Sequence, residues 1–138
     1  MAKVWYENPP GAGPAQGLYS HVGFAQGGAL AFIAGQLAVK PDGSIAGKGD
    51  FVTQFRQVFA NLGDVLKGLG TDYRSVIKFT TYLVHSQDID LFMQERRALF
   101  PQFFGAEPYP PNTLLIVDRL VKEEFLIEVE AIAAVDRA

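Results

Sequence analysis

Apolar and polar positions alternate along the chain in a pattern that predicts six strands and two helices. The clearest stretch runs from Phe51 to Leu69. There Phe51, Phe55, Val58, Phe59, Leu62, Val65, Leu66 and Leu69 fall on one stripe of an α-helix. Asp50 precedes the stripe as an N-cap whose carboxylate can accept from free amides, and Gly70 can end it in a left-handed conformation. Ser75 to Val84 (SVIKFTTYLV) is rich in β-branched and aromatic residues and reads as a central strand. Leu30 to Ala34 (LAFIA) is apolar throughout, as a strand buried on both faces would be. Lys3 to Glu7 and Tyr19 to Phe24 are shorter strands, and Lys40-Pro41-Asp42-Gly43 marks a turn. Asp88 is placed to cap a second helix from Ile89 to about Phe104, with Phe92, Leu99, Phe100 and Phe103 as its apolar face. Pro101 predicts a kink there, or an end near Leu99. Glu107 to Pro111 is proline-rich and extended. Thr113 to Leu120 and Phe125 to Val135 are the last strands, joined by a turn at Val121 to Glu124.

The order is β-β-β-α-β-α-β-β, an α+β domain spanning residues 1–138. Two helices cover only one face of a five- or six-stranded sheet. LAFIA and Leu114 to Val117 are apolar on both sides, so the other face also calls for cover, which a homo-oligomer supplies most simply.

Composition narrows the chemistry. With 138 residues, 49% apolar and 20% charged, the chain is an ordinary single globular domain. It has no cysteine, hence no disulfide, thiolate metal site or thiol nucleophile, in keeping with a reducing, cytoplasmic setting. Twelve basic against fifteen acidic residues give a net charge of −3. That leaves no basic footprint for nucleic acid or an anionic membrane as partner. No apolar run approaches the ~20 residues of a membrane span, and the N-terminus lacks a signal peptide's apolar core. No cofactor and no metal is expected. Gly43 to Gly49 (GSIAGKG) departs from a Walker motif in spacing and in the residue after the lysine, Gly11-Ala12-Gly13 does not continue as a dinucleotide fingerprint, and no G-x-S-x-G occurs. The two histidines, His21 and His85, lie far apart.

Glu128 and Glu130, two apart on a strand, share one face, flanked by Leu126 and Ile132. They serve either as a general acid or base with a raised pKa in a partly apolar cleft, or as a polar outer face at a strand edge or subunit seam. His21 follows Tyr19 and Ser20 in the glycine-rich region and is either structural or part of a site.

Four stretches then combine: Phe32 to Gln36 (FIAGQ), Gln57 to Gly70 (QVFANLGDVLKGLG), Val76 to Val84 (VIKFTTYLV) and Ile127 to Ala133 (IEVEAIA). In that order and spacing the chain resembles the RidA family of small enamine/imine deaminases, also called the endoribonuclease L-PSP family, over nearly its whole length. The resemblance implies a chorismate-mutase-like fold and a homotrimer with small-molecule clefts between subunits. It makes Glu128 the catalytic glutamate that positions or activates water. It makes Asn112, Thr113, Tyr19 and His21 the substrate-binding candidates. The family's carboxylate-clamping arginine is not matched, because the stretch reads Tyr109-Pro110-Pro111-Asn112-Thr113. A guanidinium grips a carboxylate through two charge-assisted hydrogen bonds, whereas asparagine offers one neutral NH₂ group. At ~1.5–3 kcal/mol for such bonds, the exchange weakens the grip by ~10–100-fold. Arg119, seven residues on, falls on the opposite strand face unless a bulge intervenes.

Three functions follow as expectations. The first is a trimer that binds a small metabolite and hydrolyses an enamine, imine or related carbonyl compound, with standard 2-imino acid deamination weakened by Asn112. The second is a non-enzymatic ligand-binding, regulatory or chaperone-like trimer. The third, ribonuclease activity, is disfavoured by the acidic charge balance.

Overall fold

The computed structural model describes residues 2–137. Its elements are β1 (Lys3–Glu7), β2 (Val22–Gln26), β3 (Ala29–Gln36), α1 (Phe51–Gly68), β4 (Val76–Leu83), α2 (Ile89–Phe104), β5 (Asn112–Ile116) and β6 (Ile127–Val135). This is the expected order, with short 3₁₀ turns at Tyr73–Ser75 and Ser86–Asp88.

The strands do not form one sheet. β3, β6, β4 and β5 make a mixed four-stranded sheet in that order, with β4 and β5 parallel. β1 and β2 pair only with each other. The ribbon lies at the start of β4, where the pairing with β6 is irregular between Val76 and Lys78 and β5 begins only opposite Phe79. The ribbon packs there without a ladder. Tyr6 Oη donates to the Val76 carbonyl at 2.5 Å, and Gly23 lies so close to the Ile77 carbonyl that any side chain would collide with it.

The helices pack on one face of the four-stranded sheet. Asp50 caps α1 as expected, its carboxylate accepting from the Thr53 amide at 3.2 Å. Phe55, Val58, Phe59, Leu62 and Leu66 are buried against Val76, Phe79, Leu83, Ile127, Val129 and Ala131. Phe59 meets Phe79 and Phe100 edge-on, with ring centroids 6.0 and 5.9 Å away. Two details of α2 differ from expectation. The Asp88 side chain makes no capping bond, because its residue is already helical. Pro101 does not end the helix near Leu99; α2 runs on to Phe104. An interior proline costs ~3 kcal/mol. Here the final turn carries Phe103, stacked on Tyr73 at 3.7 Å, and Phe104, packed edge-on against Tyr109 at 6.1 Å, and this burial offsets the lost bond. β2 begins three residues later than predicted, since Tyr19 to His21 belong to the preceding loop, and β5 ends at Ile116 rather than Leu120.

Candidate functional site

β6 alternates from Ile127 to Ala133. Ile127, Val129, Ala131 and Ala133 face the helices, while Glu128 and Glu130 stand half-buried on the uncovered face. Opposite them on β4 are Tyr82 and Thr80 respectively. Tyr82 Oη donates to Glu130 Oε1 at 2.6 Å, which raises the proton affinity of the phenol and fixes Glu130. On the other side, the irregularity of β3 between Ile33 and Gln36 brings Gly35 against Glu128. Any Cβ at Gly35 would collide with the Glu128 carboxylate. The Glu128 carboxyl is pushed above the usual glutamate range, first by burial and second by the charge of Glu130. A half-buried carboxylate of this kind can hold a water molecule and exchange a proton with it.

The other four candidates gather elsewhere. Tyr19, His21, Asn112 and Thr113 line one cleft of about 600 Å³, with Lys78 and Ile132, and Glu128 is not among its lining residues. Asn112 lies opposite Phe79, and its side-chain oxygen accepts from the Thr81 hydroxyl at 2.8 Å. Thr81 is buried on the helix side of the sheet. The Asn112 carbonyl is therefore committed to the core, and its side chain points away from the face that carries Glu128. Thr113, opposite Thr80, is on the same face as Glu128 and Glu130. His21 is fixed by its loop: Nε2 donates to the Gly13 carbonyl at 2.6 Å, and its amide donates to Asn8 Oδ1 at 2.8 Å. Tyr19 Oη accepts from the Gln16 amide at 3.1 Å.

Arg119 lies beyond the end of β5. It pairs with Glu123 at 2.9 Å and donates to the Leu120 and Val121 carbonyls, so it does not stand in for an arginine at position 112. Three residues of the uncovered face escaped the sequence reading. Lys78 and Tyr82 were legible from alternation within VIKFTTYLV, where they oppose Phe79, Thr81 and Leu83. The role of Gly35 appears only once β6 is placed beside it. Among the described residues no group of three or more His, Cys, Asp or Glu could hold a metal ion. No helix of the described residues is long and apolar enough to cross a membrane.

The model of the endoribonuclease L-PSP family matches residues 11–135. A RutC family protein of Pyrococcus horikoshii is 36% identical over 130 residues, covering 94% of each chain. The human 2-iminobutanoate/2-iminopropanoate deaminase is 28% identical over 102 residues, 74% of this chain and 70% of that one. Among solved structures, a protein of unknown function of the Rid family from Yersinia pestis superposes with a TM-score of 0.82 at 29% identity, covering 96% of this chain and 98% of that one. The TdcF protein of E. coli, solved with bound serine, superposes with a TM-score of 0.68 at 26% identity over 95% and 94% of the two chains.

Proposed function

The chain belongs to the endoribonuclease L-PSP family, which includes the RidA proteins, and from that premise we propose that it is a homotrimer with small-metabolite clefts between subunits. In each cleft Glu128 orients a water molecule for attack on an enamine, imine or related small carbonyl compound. The observation that carries this reading is the Glu128 carboxylate, half-buried over Gly35 and raised in proton affinity beside a Glu130 held by Tyr82. The relatives include a deaminase of 2-imino acids and a protein that binds serine, both small polar metabolites. The trimer draws support from Leu30 and Phe32, 56% and 73% exposed on the uncovered sheet face, and from Leu115 beside Tyr82. Apolar side chains so placed are buried by a second copy at little cost.

One observation favours a second reading, a non-enzymatic ligand-binding or regulatory trimer: position 112 offers no cation, and its carbonyl is engaged by Thr81. The deciding experiment follows ammonia release from 2-iminobutanoate generated in situ, for the wild type and Glu128→Gln. Acceleration over buffer that the variant loses supports the hydrolytic reading. No acceleration by the wild type removes 2-imino acids as substrates and favours the binding role. Sedimentation at micromolar concentration tests the trimer; a monomer would refute it.

A further inference from the structure

Arg96 is a buried cation without a counter-ion. It lies on α2 with 1% of its surface exposed. Its Cζ is 5.1 Å from the Phe92 ring centroid and 6.0 Å from that of Phe100. Nη2 reaches the Met93 thioether at 3.0 Å, and Nε has no acceptor. Among the described residues no carboxylate pairs with it; the adjacent Glu95 is taken by Arg56 at 3.0 Å. A thioether and two ring faces are weak partners for a planar cation with five donors. Burial lowers the guanidinium's proton affinity, to about 10. A charge held this way destabilises the fold unless an anion reaches it.

The guanidinium faces the N-terminal loop. A Cβ at Gly17 would stand 2.5 Å from Nη2, so a side chain there would push the guanidinium aside. Gly17 lines a polar cleft of about 280 Å³ with Tyr19, Ser20, Tyr109 and Glu107. Tyr19 also borders the larger cleft that holds Asn112. The hydrogen bonds formed by residues 9–20 all stay within Asn8 to His21. Lifting the Gly17 peptide therefore breaks no hydrogen bond to α2, and what holds it down is the packing of Leu18 against the core.

We propose that Arg96 is the anion anchor of this chain: a small monocarboxylate entering beside Tyr19 pairs with the buried guanidinium as the Gly17 segment lifts. The inference rests on the small-metabolite reading above and gives the ligand's carboxylate a cation on α2, on the helix side of the sheet and apart from Glu128. Glu107 on the cleft wall repels a second negative charge, so monocarboxylates are favoured over dicarboxylates.

The test is a calorimetric titration with 2-oxobutanoate, a stable keto acid, and with its neutral amide. Because the readout is binding, failure of the hydrolytic reading leaves it intact. The expected result is millimolar or tighter binding of the acid by the wild type, and at least about tenfold weaker binding of the amide and of 2-oxoglutarate. Arg96→Met should bind the acid about tenfold or more weakly, with Arg96→Lys in between. Methionine fits between the same two rings, and without ligand this variant should melt at or above the wild-type temperature. Undetectable binding by the wild type, equal affinity for acid and amide, or wild-type affinity in Arg96→Met would each overturn the proposal. If Arg96→Met does not fold, Gly17→Ala decides, since its Cβ displaces the guanidinium: weaker acid binding supports the anchor and unchanged binding refutes it.

Discussion

Gln54 is a fully buried amide in α1 that holds three backbone groups at once. Its Nε2 donates to the Gly47 carbonyl at 3.2 Å and to the Glu124 carbonyl at 2.8 Å. Its Oε1 accepts from the Leu126 amide at 2.8 Å. Leu126 is two residues from Glu128, so one side chain fixes both the loop entering α1 and the start of the strand that carries the candidate catalytic carboxylate. Gln54→Met keeps the length of the side chain and removes all three bonds. Each bond contributes ~1 kcal/mol net, and a buried amide left without an acceptor costs a further ~1–3 kcal/mol. The exposed Glu124 carbonyl recovers its loss from water, while the half-buried Leu126 amide does not. The apolar thioether returns ~1 kcal/mol by no longer burying an amide. The balance is a loss of about 3 kcal/mol. With an unfolding entropy of ~2.1 cal/mol/K per residue, this chain loses ~290 cal/mol/K of stabilising order at its midpoint, and the melting temperature falls by about 10 °C. Urea denaturation followed by circular dichroism measures the loss, with both proteins at the same subunit concentration because association adds to apparent stability. A Gln54→Met variant within about 0.5 kcal/mol of wild type would refute the claim that this amide pins β6.

Two further outcomes follow from the uncovered face. Gly35→Ala places a methyl group where the Glu128 carboxylate lies, so hydrolysis should fall at least about tenfold while the circular dichroism spectrum is unchanged; full activity would show that the carboxylate does not act from this position. Glu130→Gln removes a charge that raises the Glu128 pKa. In the proposed mechanism Glu128 works as the carboxylate, so the activity that appears as pH rises through its pKa should appear at lower pH in this variant. A pH–rate profile reads the shift, and an unmoved or upward-shifted acid limb would show that Glu130 does not tune Glu128.

Much of the fold was legible because local rules and tertiary packing agree. The α1 stripe, the Asp50 cap and the alternation of β6 each point to one face, and each is realised. Failures occur where a non-local contact outweighs a local rule. Pro101 argues against helix, yet the stacking of Phe103 on Tyr73 carries α2 past it. Asp88 has the composition of a cap, but the 3₁₀ turn at Ser86–Asp88 already supplies the entry. The single sheet expected from six strands is a four-stranded sheet and a two-stranded ribbon, and the ribbon packs at the irregular start of β4, a bulge that no sequence rule reports. The site was legible in the same uneven way. Glu128 and Glu130 declare their shared face by spacing alone. That Asn112 sits on the other side of the sheet depends on β5 pairing with β4 opposite Phe79, a register that the sequence does not print.

That register also explains what stands at position 112. Thr81 is buried, and its hydroxyl needs an acceptor on the helix side of the sheet. The Asn112 carbonyl meets that need at 2.8 Å. An arginine carries only donors, so it could not accept from Thr81. The residue at 112 thus does one of two things: it satisfies the core, or it reaches out as a cation. In this chain it satisfies the core, so under the proposed function the recognition of a negatively charged ligand would fall to cations elsewhere. Lys78 is exposed and lines the cleft with Asn112, where solvent screens a point charge on a flexible stem. Arg96 is dry, held between two rings and short of acceptors, conditions under which a charge–charge contact is strongest once made. Of the two, Arg96 has the greater free energy to gain from a carboxylate, and the irregular loop over it is bonded only to itself.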